Sequence, residues 1–267
     1  MYKMVAIDLD DTLLTDNHEI SREDASAISK SLVRGVAVCL VSGRSYSSIK
    51  KYVEYLRLRH LAGSLNGAHI IETCSERVLS SCCLDIKLGC EITRIAEEQG
   101  IHINFYHGNK IVCKERNQFS DAYARLTGTE LEYVGELSRY AASVEAGKLL
   151  FLGETEKLEG IRQKLLSSYG GQINATYSKP GFLEIYRRDI SKGEAVKKIA
   201  NYYGFSSGEI VAIGDGENDI SMLRCAGVGV AMGNAPLKVK ESASFVTYSN
   251  NDNGVAHALN RIVLAGA

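Results

Sequence analysis

The sequence predicts an α/β fold: a doubly wound parallel-sheet core built from both ends of the chain, with an α+β segment inserted between them. Three observations carry this reading. Residues 3–56 alternate strand-like and helix-like patterns over short connections. Residues 191–264 repeat that alternation. Between about 83 and 187 the pattern changes to hairpins. Strands alternating with helices over short loops call for a parallel sheet.

In order, residues 3–9 (KMVAIDL) form a first apolar strand. Residues 21–35 form a helix, with Ser21 as its cap and Asp24 three positions on; Ala25, Ile28 and Leu32 share a face, and Gly35 ends it. Residues 36–41 (VAVCLV) are a continuous β-branched-rich run, as in a strand buried on both faces. A helix follows over 45–56. In the middle, IHINFYHGNKIVCKE reads as a hairpin turning at Gly108–Asn109, GKLLFLG as a strand, residues 154–170 as a helix, and QINATYSKPGFLEIYRR as a second hairpin turning at Pro180–Gly181. The closing third reads helix 191–204, strand 209–215, helix 218–227, strand 228–232, helix 236–243, strand 244–248 and helix 253–264. The expected division is a core of residues 1–82 and 188–267 with an inserted domain of 83–187.

Of the 267 residues, 45% are hydrophobic and 24% charged, ordinary values for a globular chain. Acids number 32 and bases 31, so no basic surface points to nucleic acid or an anionic membrane. No apolar run approaches the roughly 20 residues of a membrane helix, and the first residues place acid where a secretory signal would be apolar. The expected location is the cytosol. Seven cysteines fit it, and Cys74, Cys82, Cys83 and Cys90 show no zinc-ligand spacing, which favours half-buried thiols. Nothing in the composition selects an oligomeric state.

Chemistry concentrates where strands end. In MVAIDLDDTLL, the acids Asp8, Asp10 and Asp11 close an apolar strand. Residues two apart on a strand face one side, so Asp8 and Asp10 are expected to share a space at the strand's carboxyl end, where open α/β sheets bind ligands. Two carboxylates about 4 Å apart repel by roughly 4 kcal/mol at an effective dielectric of 20, so a proton, a lysine or a metal must offset them. In GDGEND, Asp215 leaves a strand and Asp219 returns a turn later, with Asn218 beside it. If the two strands are neighbours, Asp8, Asp10, Asp215 and Asp219 converge as an all-oxygen set, which suits magnesium. In VSGR, Ser42 and Gly43 open onto a helix start that suits a phosphate, and Lys192 could place a positive charge on the same anion. Each piece alone has an ordinary reading as a solvated turn, a helix cap or an exposed lysine. The four in order, each at a strand end or helix start, favour the functional one.

These motifs resemble the haloacid dehalogenase superfamily. DLDDT is similar to its Asp-x-Asp-x-Thr motif, VSGR to its second, Lys192 to its third and GDGEND to its fourth. The GDGEND form, with NGA at 66–68, AMGNA at 231–235 and NDNGVA at 251–256, resembles the Cof-type branch, whose α/β cap lies between the second and third motifs. Residue 11 is Asp where the family often has Gly. The resemblance implies a magnesium-dependent phosphatase acting on a small phosphorylated metabolite. Asp8 would be the nucleophile, and Asp10 the acid and then base. Magnesium would sit at Asp8, Asp215 and the Asp10 main-chain oxygen, with Asp219 in or near that shell. Ser42, Gly43, Asn218 and Lys192 would hold phosphoryl oxygens, and Thr12 would support the loop. Two alternatives remain open: a phosphotransferase such as a sugar phosphate mutase, and a non-enzymatic phospho-Asp receiver domain. A further expectation is that the 178–182 hairpin tip, with Lys179 and Phe182, reaches the leaving group.

Overall fold

The computed structural model describes residues 1–265, which group into two compact units. The first comprises Met1–Gly43, Lys50–Leu79 and Ser191 onward; the second comprises Arg44–Ile49 and Ser80–Ile190.

The first unit is built on a parallel sheet. Among the described residues its strand order is Phe245–Val246, Val228–Ala231, Ile210–Gly214, Met4–Ile7, Ala37–Leu40. The amino-terminal strand lies between Ala37–Leu40 and Ile210–Gly214, in register Ile7 to Leu40 and Ile7 to Ile213. Chain order therefore reverses at the Met4–Ile7/Ile210–Gly214 pair, the switch point at which such sheets open a crevice. Both faces are apolar. Met4, Ala6, Ala37, Cys39, Ile210 and Ala212 pack with Val196 and Ile199 of the Lys192–Tyr203 helix and Met222 and Leu223 of the Ile220–Cys225 helix. Val5, Ile7, Val38, Leu40, Val211 and Ile213 fill the other face, fully buried. Each such side chain contributes about 1.5–3 kcal/mol by leaving water, so the sheet is a rigid base for the loops at its carboxyl edge.

The Arg22–Val33 helix is capped as its sequence requires: the Ser21 side chain accepts from the Asp24 amide at 3.0 Å. Its buried face differs from the expected Ala25, Ile28, Leu32 stripe. Ile28 is buried as expected, but Asp24, Ala27 and Ser31 are buried with it, while Ala25 and Leu32 are only half-buried. The reason is polar: Asp24 Oδ1 accepts the Ala256 amide at 2.6 Å, at the start of the Gly254–Ala258 helix. Ser31 donates back to the Ala27 carbonyl. Periodicity counts apolar positions and misses polar groups that are buried because they are bonded.

The second unit is an antiparallel sheet with one parallel edge. Its order is Ile173–Lys179, Phe182–Arg187, Lys148–Leu152, His102–His107, Lys110–Cys113, Glu132–Tyr133. Both hairpins form about the expected turns, and Gly181 takes φ 78 at the second. One face, including Phe105, Leu149, Phe151, Leu183 and Ile185, packs on Ile92, Ile161 and Leu165 from the helices Ile86–Glu98 and Thr155–Tyr169. The other carries a buried Lys148–Glu184 pair at 3.0 Å, with Lys148 4.7 Å from the Tyr106 ring. At the second hairpin's tip, Lys179 lies 4.5 Å from the Phe182 ring.

Several elements lay outside the sequence reading: the strands Leu61–Ser64, His69–Glu72 and Arg77–Ser81, of which the first two pair antiparallel, and the helices Ile86–Glu98, Gln118–Thr127 and Leu137–Ala141. The expected first strand also shortens. It ends at Ile7, and Leu9–Leu13 winds into one wide turn closed by the Leu14 amide on the Leu9 carbonyl at 2.9 Å. The seven cysteines are free. No helix of the described residues is long and apolar enough to cross a membrane.

Candidate active site

Two strand ends create the site. Asp8 follows Ile7, and its amide donates to the Ile213 carbonyl at 3.0 Å, so the sheet's hydrogen bonding fixes its position. Asp215 follows Gly214 on the neighbouring strand. After it the chain turns through Glu217–Asp219, which brings Asp219 back under the loop. Asp219 Oδ2 accepts the amides of Asp215 at 2.9 Å and Gly216 at 2.8 Å. The fit needs glycine at 214, where an added Cβ would lie 2.6 Å from the Asp219 side chain.

Ligand oxygens of Asp8, Asp215 and Asp219 lie within 4.8 Å of one another, and all three residues are buried. Lys192 closes the group. It is the first residue of the Lys192–Tyr203 helix, whose cap Ser191 accepts the Glu194 amide. Its side chain is 1% exposed, and Nζ donates to Asp8 Oδ1 at 2.6 Å and Asp219 Oδ1 at 2.5 Å. Thr12, fully buried in the wide turn, donates its hydroxyl to Asp215 Oδ1 at 2.6 Å.

The strand-alternation argument for Asp8 and Asp10 does not hold, because the strand ends before either residue. The tight group is Asp8, Asp215 and Asp219, and the Asp10 carboxylate is outside it. Asp10 is half-buried in the wide turn, near enough for its charge to act on Asp8. Asp11 has φ 57, ψ 9, and its carbonyl accepts from Asn234. That left-handed conformation suits glycine and is tolerated by Asp, which accounts for Asp at this position.

The anion-cradle candidates lie on the same sheet edge. Ser42 is buried just beyond the Ala37–Leu40 strand, its amide donating to the Gly63 carbonyl at 2.9 Å, and Gly43 follows it. Asn218 is buried and donates Nδ2–H to Asn66 Oδ1 at 3.1 Å. Sequence reading gave Asn66 no role; the only signal was the NGA triplet.

Burial dominates the electrostatics. It raises the Asp8 carboxyl well above the ordinary range; Asp219, Asp215 and Asp10 add to the rise, and Lys192 opposes it. Burial, then Asp219, pushes Asp215 to about 8 against the Thr12 hydrogen bond. Burial alone would lower Lys192, but Asp219 and Asp8 outweigh it and hold the ammonium charged. With all three carboxyls ionised, the one ammonium would leave two negative charges in a buried space, which is why burial raises Asp8 and Asp215 in the absence of a cation. A hard divalent cation matches that remainder and the all-oxygen donors.

The model of the haloacid dehalogenase-like hydrolase family matches residues 5–259. The chain belongs to the haloacid dehalogenase-like hydrolases. Among curated members, YxeH of Bacillus subtilis (strain 168), named as a candidate phosphatase, is 31% identical over 99% of this chain and 100% of its own. YwtE of the same organism, named a 5-amino-6-(5-phospho-D-ribitylamino)uracil phosphatase, is 28% identical over 98% of each chain. A haloacid dehalogenase-like hydrolase from Bacteroides thetaiotaomicron superposes with a TM-score of 0.86 at 30% identity, covering 98% of this chain and 100% of that one. This haloacid dehalogenase-like hydrolase is an enzyme of the phosphatase class. The receiver-domain alternative is thereby set aside.

Proposed function

We propose that the protein is a magnesium-dependent phosphatase that hydrolyses small phosphate monoesters through a phosphoryl-Asp8 intermediate. The observation that carries this reading is the group of Asp8, Asp215, Asp219 and Lys192 at the carboxyl ends of two neighbouring parallel strands.

Asp8 and Asp215 would hold the cation, with the Asp10 main-chain oxygen completing the protein ligands. Asp219 already takes Lys192 and two amides, and stands beside them. When bound, magnesium would offset the charge of the carboxylates and of the phosphoryl group.

The residues divide the remaining work. Lys192 engages Asp8 Oδ1, so Oδ2 is the attacking oxygen. Oδ2 bonds to phosphorus as the ester P–O bond breaks, and Asp10 in its acid form gives its proton to the leaving alkoxide. Asp10, now a carboxylate, takes a proton from a water that attacks phosphorus. That attack breaks the Asp8–phosphorus bond and releases inorganic phosphate. Ser42, Gly43, Asn218 and Lys192 hold the phosphoryl oxygens. A carboxylate is a weak nucleophile, so placement and charge neutralisation supply most of the rate.

Two relatives named for phosphate on a ribityl chain, at 28% and 29% identity, support a phosphorylated sugar or polyol as the substrate class. The inserted segment, expected over residues 83–187 and contained in the Ser80–Ile190 part of the second unit, would act as a cap that sets leaving-group choice. Asp8→Asn assayed with an aryl phosphate and magnesium tests the proposal. Turnover should fall by several orders of magnitude; a variant as fast as the parent would refute a nucleophilic Asp8.

A further inference from the structure

Between the strands Leu61–Ser64 and His69–Glu72 the chain makes a turn of unusual shape. Leu65, Asn66 and Gly67 have φ values of 51, 58 and 96. L-residues enter this left-handed region as single residues, and here leucine and asparagine occupy it in succession. Leu65, Asn66 and Gly67 are all buried. Such a conformation persists where the surroundings over-determine it, and it is a pointer to function.

Those surroundings are three of the motif loops. The Asn66 amide donates to the Ser42 carbonyl at 3.0 Å. Asn66 Oδ1 accepts from Asn218 Nδ2 at 3.1 Å. Gly67 sits against the start of the Lys192–Tyr203 helix, where an added Cβ would lie 2.8 Å from both the Ser191 carbonyl and the Ala195 Cβ. One turn thus touches the serine loop, the lysine helix and the GDGEND loop, which are far apart in sequence.

We infer that Asn66 is a positioning residue for phosphoryl binding, acting through Asn218. A carboxamide nitrogen carries two N–H groups. Asn66 takes one and fixes the amide plane, which leaves the other directed to a phosphoryl oxygen. The left-handed backbone is what lets Asn66 bond Ser42 through its amide and Asn218 through its side chain. This inference rests on the reading that Asn218 binds phosphate.

A double-mutant cycle tests it. Asn66→Gly keeps the left-handed backbone and removes the acceptor; Asn218→Ala removes the amide. In Asn66→Gly, kcat/KM for an aryl phosphate falls by roughly 10- to 100-fold, the range seen when a partner that orients a ligand is lost. The inhibition constant for inorganic phosphate rises in parallel, and the melting temperature stays within about 4 °C. Added to Asn218→Ala, Asn66→Gly changes kcat/KM by less than about twofold, because its target is already gone. Wild-type kinetics in Asn66→Gly, or its full loss in the Asn218→Ala background, would overturn the inference alone. Wild-type kinetics in Asn218→Ala would overturn the phosphate reading and the inference with it.

Asn66→Asp gives a check that is independent of turnover and keeps the turn's shape. Its carboxylate accepts a stronger, charge-assisted hydrogen bond. The Asn218 side-chain amide signal, assigned by its loss in Asn218→Ala, should move downfield in a nitrogen–proton correlation spectrum. An unmoved signal contradicts the contact on which the positioning depends.

Discussion

Thr12 and Asp215, 203 positions apart, meet in a 2.6 Å hydrogen bond. The bond joins the wide turn after the first strand to the loop after its neighbour, and it opposes the burial that raises the Asp215 carboxyl. Thr12→Val preserves shape and removes the donor. Asp215 should then hold its proton more tightly and bind a cation less well. The magnesium concentration for half-maximal activity should rise by roughly 10- to 100-fold at neutral pH, with saturated turnover less affected. A titration of activity against magnesium reads this, and an unchanged midpoint would rule out the orienting role.

Among the described residues Lys192 is the sole ammonium bonded to Asp8 and Asp219. In Lys192→Met the buried carboxylates lose that partner. Breaking a buried ion pair on one side costs about 3–5 kcal/mol, so metal-free Lys192→Met should melt well below the parent. Magnesium should recover part of the stability and none of the activity. Melting curves with chelator and with magnesium give the comparison; equal metal-free melting temperatures would show that the carboxylates do not depend on this lysine.

The same carboxylates make the metal-free fold sensitive to pH. Asp215 has its folded pKa raised to about 8 from an ordinary value of 3.8. A raised carboxyl favours the folded state fully below the ordinary value, and that contribution is lost as pH rises through the folded one. Asp8 shifts in the same direction. Metal-free protein should therefore lose stability between about pH 4 and 8. The rise in melting temperature on adding magnesium should grow over that interval. A rise that is constant or shrinks with pH would contradict the charge excess.

Asp24 provides a pH response away from this site. Its Oδ1 accepts the Ala256 amide, while Oδ2 is buried without a hydrogen-bond partner, and burial raises its pKa. The sign is again that of a raised carboxyl: Asp24 favours folding most below about pH 4 and least above its folded value. Asp24→Asn keeps an acceptor and removes the charge. Its melting temperature relative to the parent should climb as pH goes from 4 to 8, and a flat difference would mean that the folded pKa is not raised.

Isotope-labelled water separates hydrolysis from transfer to a second hydroxyl. A phosphatase places one solvent oxygen in each phosphate it releases. A mutase of the same chemistry releases little phosphate. Mass analysis of the product from a sugar phosphate, or the lack of product, decides between them.

The strands and helices of the first unit were legible because their burial is two-sided and continuous: VAVCLV and EIVAIGD can hardly be anything but interior strands. The acids were legible because charge at the end of such a strand needs an explanation. The chain by itself therefore determined the parallel core and the polar motifs at its strand ends and helix starts. Tertiary structure decided which acids meet. Asp10 precedes Asp215 by 205 positions and lies two from Asp8, yet Asp8 groups with Asp215 and Asp219, because the strand stops at Ile7 and the next residues coil away. Pairing of Met4–Ile7 with Ile210–Gly214, the Thr12 bond to Asp215 and the Asn66 turn beneath Asn218 are all long-range contacts. Local periodicity records which face of an element avoids water; it carries no information about which distant element supplies the partner for a buried polar group.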